Sequence, residues 1–76
     1  MNKFNEYEVV QATRDLSDKV RDKATGTVLY IFGSSPFDYL IEFMEGAESL
    51  GTLMVNESDL RRPSWTAILQ FLQKND

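Results

Sequence analysis

Residues 26–32 read Gly-Thr-Val-Leu-Tyr-Ile-Phe, and residues 38–44 read Asp-Tyr-Leu-Ile-Glu-Phe-Met. Both stretches are rich in the β-branched and aromatic residues that favour strands. Between them, residues 33–36 read Gly-Ser-Ser-Pro, and glycine and proline are typical of turns. The two stretches therefore predict two strands joined by a turn, with residues 26–32 as the central strand of a sheet.

Weaker patterns of the same kind lie on both sides of this pair. The hairpin loop at residues 45–48 contains a glycine, and it joins residues 38–44 to a fourth strand. We expect the remaining elements to be an opening strand at Tyr7–Gln11, a charged loop at Thr13–Lys23 held by Leu16 and Val20, the fourth strand at Leu50–Val55, a capped helical turn at Asn56–Asp59 and a closing strand at Leu60–Arg62. Five short strands predict a mainly β domain, a small five-stranded barrel at about residues 4–62.

The sequence after Pro63 predicts a short C-terminal α-helix at about residues 64–73. Ser64 is a suitable N-cap. Four apolar residues follow at the i, i+3, i+4 and i+7 spacing of one helix face: Trp65, Ile68, Leu69 and Leu72. The whole chain, residues 1–76, is then a single domain, since a chain this short has no material for a second core.

Period-two alternation assigns the strand side chains to two faces. We expect the barrel interior to contain Val28, Tyr30, Ile41 and Phe43. That leaves an apolar set on the opposite face, namely Leu29, Ile31, Leu40 and Met44. The C-terminal helix can cover this set; otherwise it is a binding site or the interface of a homodimer.

Composition argues against catalysis. The chain has no cysteine and no histidine, so it lacks a disulfide, a thiolate nucleophile and an imidazole base. Glu42 and Glu57 could form a carboxylate pair, but a domain of 76 residues has little room for the cleft that such a pair needs. We therefore expect no enzyme activity, no cofactor and no metal site. The longest apolar run, Val28–Phe32, cannot span a bilayer, and a cytoplasmic protein is the simplest interpretation.

The acidic charge is concentrated in one part of the sequence. The net charge is −4, and no lysine or arginine lies between Asp38 and Asp59. Six acids occur there: Asp38, Glu42, Glu45, Glu48, Glu57 and Asp59. Such a stretch either keeps the protein soluble or steers a basic partner. With Leu40 and Met44, these acids form the candidate partner-binding set.

The nucleic-acid alternative depends on a smaller basic cluster. Arg61 and Arg62 lie close in sequence to Trp65, which could stack on a base. A second group, Lys19, Arg21 and Lys23, is interleaved with Asp18 and Asp22. Because a net acidic surface is repelled by phosphates, we expect no nucleic-acid binding.

Several landmarks occur together in the order of a known family pattern: Phe4, Glu8-Val9-Val10, Asp15-Leu16, Gly26-Thr27-Val28, Tyr39-x-Ile41-Glu42-Phe43 and Asp59-Leu60-Arg61. Over Phe4 to Arg62 the chain resembles the bacterial family called domain of unknown function 4926. It departs from that pattern at Ile41, where valine is usual, in a longer turn at residues 33–37, and in the residues after Pro63. The resemblance implies a Src-homology-3-like (SH3-like) barrel. Its members are similar to proteins found beside toxin-like proteins, which implies an immunity or antitoxin role.

The leading hypothesis is therefore an inhibitory binding protein of immunity or antitoxin type, which occludes a basic, nuclease-like toxin through its acidic surface. A structural or adaptor barrel within a larger assembly is the main alternative, and a nucleic-acid-binding barrel is the third. No membrane partner is expected.

Overall fold

The computed structural model describes residues 3–34, 36–64 and 69. The elements are β1 (Val9–Ala12), β2 (Thr25–Phe32), β3 (Asp38–Glu45), β4 (Glu48–Asn56), a 3-10 turn (Glu57–Asp59) and β5 (Leu60–Arg61). The five antiparallel strands form one sheet in the order β4-β3-β2-β1-β5, which curls into a half-barrel compatible with an SH3-like barrel.

Each strand predicted from the sequence is present, with bounds that differ by a few residues. The charged segment between β1 and β2 is a loop, as expected, and Val20 is fully buried while Leu16 packs against the core. Asn56 caps the 3-10 turn by accepting a hydrogen bond from the Ser58 amide at 3.0 Å. Within the described residues no C-terminal helix is found; apart from Ser64 and Leu69, the helix predicted at about 64–73 falls outside them.

The core lies on the concave side of the sheet, where inward side chains meet across the strands. Val28 of β2 is opposite Ile41 of β3, and Ile41 is opposite Leu53 of β4. The next inward set joins Ile31 and Tyr39, which are also directly opposed. The buried apolar residues are Phe4, Val10, Ala12, Val20, Val28, Tyr39, Ile41, Phe43, Val55 and Leu60.

A bulge in β2 reverses the side-chain alternation after Val28. The pairing with β3 shifts between Val28 and Tyr30, so Leu29 is the extra residue in the strand. The prediction for Val28, Ile41 and Phe43 is confirmed, because all three are fully buried. The prediction for Tyr30 is wrong: the bulge turns it outward, where it is 54 % exposed. Ile31 points inward in its place and packs against the core.

Gly26 permits a close approach between β2 and β3. A Cβ atom at this position would lie 2.7 Å from the Glu42 carbonyl oxygen and 2.7 Å from Cγ2 of Ile41. It would also lie 3.0 Å from the ring of Phe43. Since one of these neighbours is backbone, only glycine fits without a displacement of β3.

Tyr39 attaches the N-terminal segment to the sheet. Its hydroxyl oxygen accepts hydrogen bonds from the backbone amides of Lys3 and Phe4, each at 3.1 Å. The Phe4 ring packs edge-on against Tyr39, with centroids 5.4 Å apart. A single fully buried side chain thus satisfies two amides and positions an aromatic ring over the core.

Replacing Gly26 with alanine should destabilise the fold by roughly 1–3 kcal/mol, because the added methyl group overpacks the contact between β2 and β3. The midpoint of thermal or urea unfolding measures this. The matched control is Thr27→Ala, on the neighbouring half-buried position, which should cost less than about 1 kcal/mol. Equal stability of Gly26→Ala and the original chain would show that β3 shifts to accommodate the methyl group without loss of stability.

Tyr39→Phe should cost roughly 1–3 kcal/mol, because it leaves the buried Phe4 amide without its acceptor while keeping the ring. The control is Tyr30→Phe, which removes the same hydroxyl from an exposed tyrosine and should change stability by less than about 0.5 kcal/mol. Amide hydrogen exchange gives a local readout: exchange at Phe4 should accelerate in Tyr39→Phe alone. Unchanged protection of that amide would contradict the proposed attachment.

Candidate protein-binding face

The convex side of β2, β3 and β4 carries an apolar row that crosses all three strands. Tyr30 lies opposite Leu40, and Leu40 lies opposite Met54. Directly opposed residues in a sheet share a face, so the three side chains point outward together. We call the convex surface of these strands the outer face; its central residues are Tyr30, Phe32, Asp38, Leu40, Glu42, Met44, Thr52, Met54 and Asn56.

Large apolar side chains on the outer face are exposed to solvent. Tyr30 and Met54 are each 54 % exposed, and Phe32 is 39 % exposed. The rings of Tyr30 and Phe32 touch, with centroids 4.7 Å apart and planes tilted by 55°. Neighbouring exposed aromatic and methionine side chains are typical of interaction surfaces.

Two carboxylates flank the apolar row along β3. Asp38 and Glu42 are the outward residues on either side of Leu40, each about 6.5–7 Å away along the strand. Asn56 donates a hydrogen bond to Oδ1 of Asp38 at 3.2 Å, and Ser49 donates one to Oε2 of Glu42 at 3.2 Å. Both donors are neutral side chains, so these bonds orient the carboxylates without pairing them with a positive charge.

The β3–β4 hairpin adds two further acids at one end of the outer face. Glu45 and Glu48 are exposed and directly opposite each other. Gly46 begins the two-residue loop between them with φ 62°, a left-handed conformation that suits glycine. Like charges in directly opposed positions repel, so this pair is not explained by folding stability.

Glu57 and Asp59 lie apart from this surface, on the 3-10 turn. Glu57 accepts a hydrogen bond from the Phe37 amide at 3.4 Å. Asp59 forms a two-point ion pair with Arg14, at 3.0 and 2.9 Å. The hydrogen bond from Arg14, together with its charge, holds the pKa of Asp59 below its usual value. Asp59 is therefore ionised, and the positive charge of Arg14 balances it. Arg14 thus provides the basic partner that the sequence between Asp38 and Asp59 lacks.

Of the eight residues predicted as a site, the structure brings four together on the outer face: Asp38, Leu40, Glu42 and Met44. Glu45 and Glu48 lie at its hairpin end, and Glu57 and Asp59 belong to the turn. The sequence interpretation missed Tyr30, Phe32 and Met54. The two aromatics were assigned by unbroken alternation, and the bulge at Leu29 broke it.

Three basic residues, Lys23, Arg61 and Arg62, lie beside β1 and β5, at the opposite end of the sheet order from β4. A shallow groove beside β1 and β5 is lined by Gln11, Lys23, Arg61, Arg62, Pro63 and Ser64. Arg61 donates a hydrogen bond to Gln11 at 2.9 Å. Arg62 pairs with Glu8 at 2.7 Å and donates to the Lys3 carbonyl at 2.6 Å. These bonds occupy both arginines that the nucleic-acid alternative needs, and Trp65 lies outside the described residues.

Two negative findings concern residues 3–34, 36–64 and 69. No group of three or more acidic side chains in them is arranged to hold a metal ion. Nor does this part of the chain contain a helix with the length and hydropathy of a bilayer-spanning segment.

Comparisons with protein-family models, with curated proteins and with solved structures gave no match for this chain. The resemblance to domain of unknown function 4926 therefore stays a prediction.

Proposed function

We propose that this chain is a protein-binding inhibitor of immunity or antitoxin type, which uses the outer face to occlude a basic, nuclease-like toxin. The observation that carries the proposal is the apolar row Tyr30–Leu40–Met54, flanked by Asp38 and Glu42 on a part of the sheet without a basic residue. An apolar centre with a charged rim is the usual composition of a protein interface.

Two features of this face are costly for an isolated domain. Tyr30, Phe32 and Met54 expose apolar surface that water does not favour. Glu45 and Glu48 are opposed across the hairpin, where repulsion weakens strand pairing. A partner that covers the apolar side chains and brings positive charge to the hairpin removes both costs.

In the proposed mechanism, charge governs association with the toxin and apolar contact governs dissociation. Nucleases act on polyanions, so their active sites are positively charged, and an acidic protein is attracted to the same site by long-range electrostatics. Leu40 and the exposed side chains beside it then exclude water and slow dissociation. The inhibitor blocks substrate entry and needs no chemistry of its own. An SH3-like barrel in the cytoplasm provides a rigid sheet for this contact.

An adaptor barrel within a larger assembly is the second candidate, and it would use the same face. The identity of the partner separates the two. Affinity purification from the native host with the full chain as bait, followed by mass spectrometry, should recover a basic toxin-like protein that is lost when Leu40→Asp is the bait. Stoichiometric addition of the original chain should then abolish the nuclease activity of that protein. Recovery of ribosomal or transcription proteins instead would favour the adaptor.

Reversing the hairpin charges with Glu45→Lys and Glu48→Lys should slow association with the partner, most strongly at low ionic strength. The matched control is Glu6→Lys with Asp18→Lys, which changes the net charge equally at exposed positions outside the face. Association rates measured by biolayer interferometry at two salt concentrations test this. If both double variants slow association equally, or if the association rate does not depend on salt concentration, the acidic face only keeps the protein soluble.

Truncating the apolar row with Leu40→Ala or Met54→Ala should instead raise the dissociation rate by about fivefold or more, since an anchor residue typically contributes more than about 1 kcal/mol. Association should stay nearly unchanged, which distinguishes these variants from the charge reversals. Unfolding midpoints, recorded in parallel, confirm that the variants are folded at the assay temperature. A partner that dissociates from both variants as slowly as from the original chain does not bind through this row.

A further inference from the structure

The outer face ends at a sheet edge that is suited to pair with another strand. β4 is the terminal strand in the sheet order, with β3 as its neighbour. It is nine residues long and contains no lysine and no proline, which are the residues that commonly protect an edge from further pairing. A bulge at Leu50, next to Gly51 with φ 105°, interrupts its first half. Residues 52–56 form the regular part.

The hydrogen-bonding direction of this edge follows from one contact. The Glu57 amide donates to the Phe37 carbonyl at 3.1 Å, which makes Phe37 and Glu57 a hydrogen-bonded pair. Pairs alternate along an antiparallel ladder, so Tyr39 with Val55 and Ile41 with Leu53 are hydrogen-bonded as well. The backbone groups of the intervening residues, Thr52, Met54 and Asn56, therefore point away from β3 and toward the edge of β4, beside which the described residues place no further strand.

The side chains along the edge determine what a pairing strand must carry. Thr52 and Asn56 are the β4 residues opposite the two carboxylates of β3, Glu42 and Asp38. A long basic side chain on an added strand can cross the β4 residue, because strands lie about 4.8 Å apart, and reach the carboxylate beyond it. Between these positions the added strand meets apolar surface, with Met54 outward and Leu53 and Val55 inward.

From this geometry we infer that the partner adds an extended segment to β4, with the pattern basic-apolar-apolar-apolar-basic opposite residues 52–56. The inference rests on the proposed function, and it specifies the partner segment that binds at the β4 edge of the outer face. β-Strand addition supplies affinity through main-chain hydrogen bonds and specificity through alternate side chains. The pattern does not occur in the sequence of this chain, which favours a segment of a different protein.

The test uses the isotope-labelled full chain and a synthetic peptide with capped ends and the central sequence Arg-Val-Leu-Val-Arg. On titration, the amide resonances of Thr52, Met54 and Asn56 should shift, and their hydrogen exchange should slow. An N-methyl group on the peptide leucine should abolish binding, because in an antiparallel ladder the residue opposite Met54 donates its amide to β4. The same group on either valine should be tolerated, since those amides face away.

Variants of the chain provide the reciprocal test. Met54→Pro removes an edge donor and Met54→Ala keeps it, while both lose the methionine side chain. The proline variant should bind the peptide about tenfold more weakly than the alanine variant. Replacing both peptide arginines with glutamate should abolish binding to the original chain. Should Met54→Pro fail to fold, the N-methylated peptides still decide the question.

Three results would overturn the inference: equal tolerance of all N-methylated peptides, resonance shifts confined to β1 and β5, or dimerisation of the chain through β4 in sedimentation experiments without peptide. If the peptide fails while the native partner still responds to charge reversal and salt, the outer face remains the binding site and strand addition is wrong. If the charge reversals leave association with the partner unchanged, the proposed function is wrong, whether or not the peptide binds.

Discussion

At Gly26 the backbone of β2 passes so near to β3 that the hydrogen atom of glycine is the largest side chain that fits. Gly26 pairs with Val10 on one side and Phe43 on the other, so the contact joins three strands. The close approach suits a sheet that curls until residues distant in sequence enclose one core. A chain of 76 residues with no cysteine has no disulfide to stabilise it, and this enclosed core takes that role.

The bulge at Leu29 links the core to the surface. Without the extra residue, Tyr30 and Phe32 would point inward and Ile31 outward. The bulge places Ile31 against Tyr39 in the interior and the two aromatic side chains on the outer face. Bulges commonly redirect a side chain near a functional surface. Here the same irregularity directs Ile31 into the core and leaves the aromatic pair exposed.

The sequence predicted those features that follow from local periodicity. Tyr39, Ile41 and Phe43 alternate without interruption, and the structure buries all three. Tyr30 could not be placed, because a bulge shifts the alternation without a compositional signal. Arg14 and Asp59 are 45 positions apart in sequence, and a local sequence pattern cannot predict a contact between residues so far apart. Eight residues of the landmarks in the suggested family resemblance are buried: Phe4, Val10, Gly26, Val28, Tyr39, Ile41, Phe43 and Leu60. The resemblance therefore concerns the core more than the outer face.

The acidic side chains of the outer face differ from the other acids in their surroundings. Four acids belong to the outer face and its hairpin, namely Asp38, Glu42, Glu45 and Glu48, and the other eight acids of the sequence equal its eight bases in number. None of these four acids forms an ion pair with a described residue. Elsewhere in the described residues, ion pairs such as Arg21 with Asp15 and Arg62 with Glu8 hold opposite charges together. Exposed pairs of this kind contribute little to stability, about 0–1 kcal/mol each, but they cancel the local field. Because the four acids have no such pair, the basic partner that we propose would be attracted to the outer face.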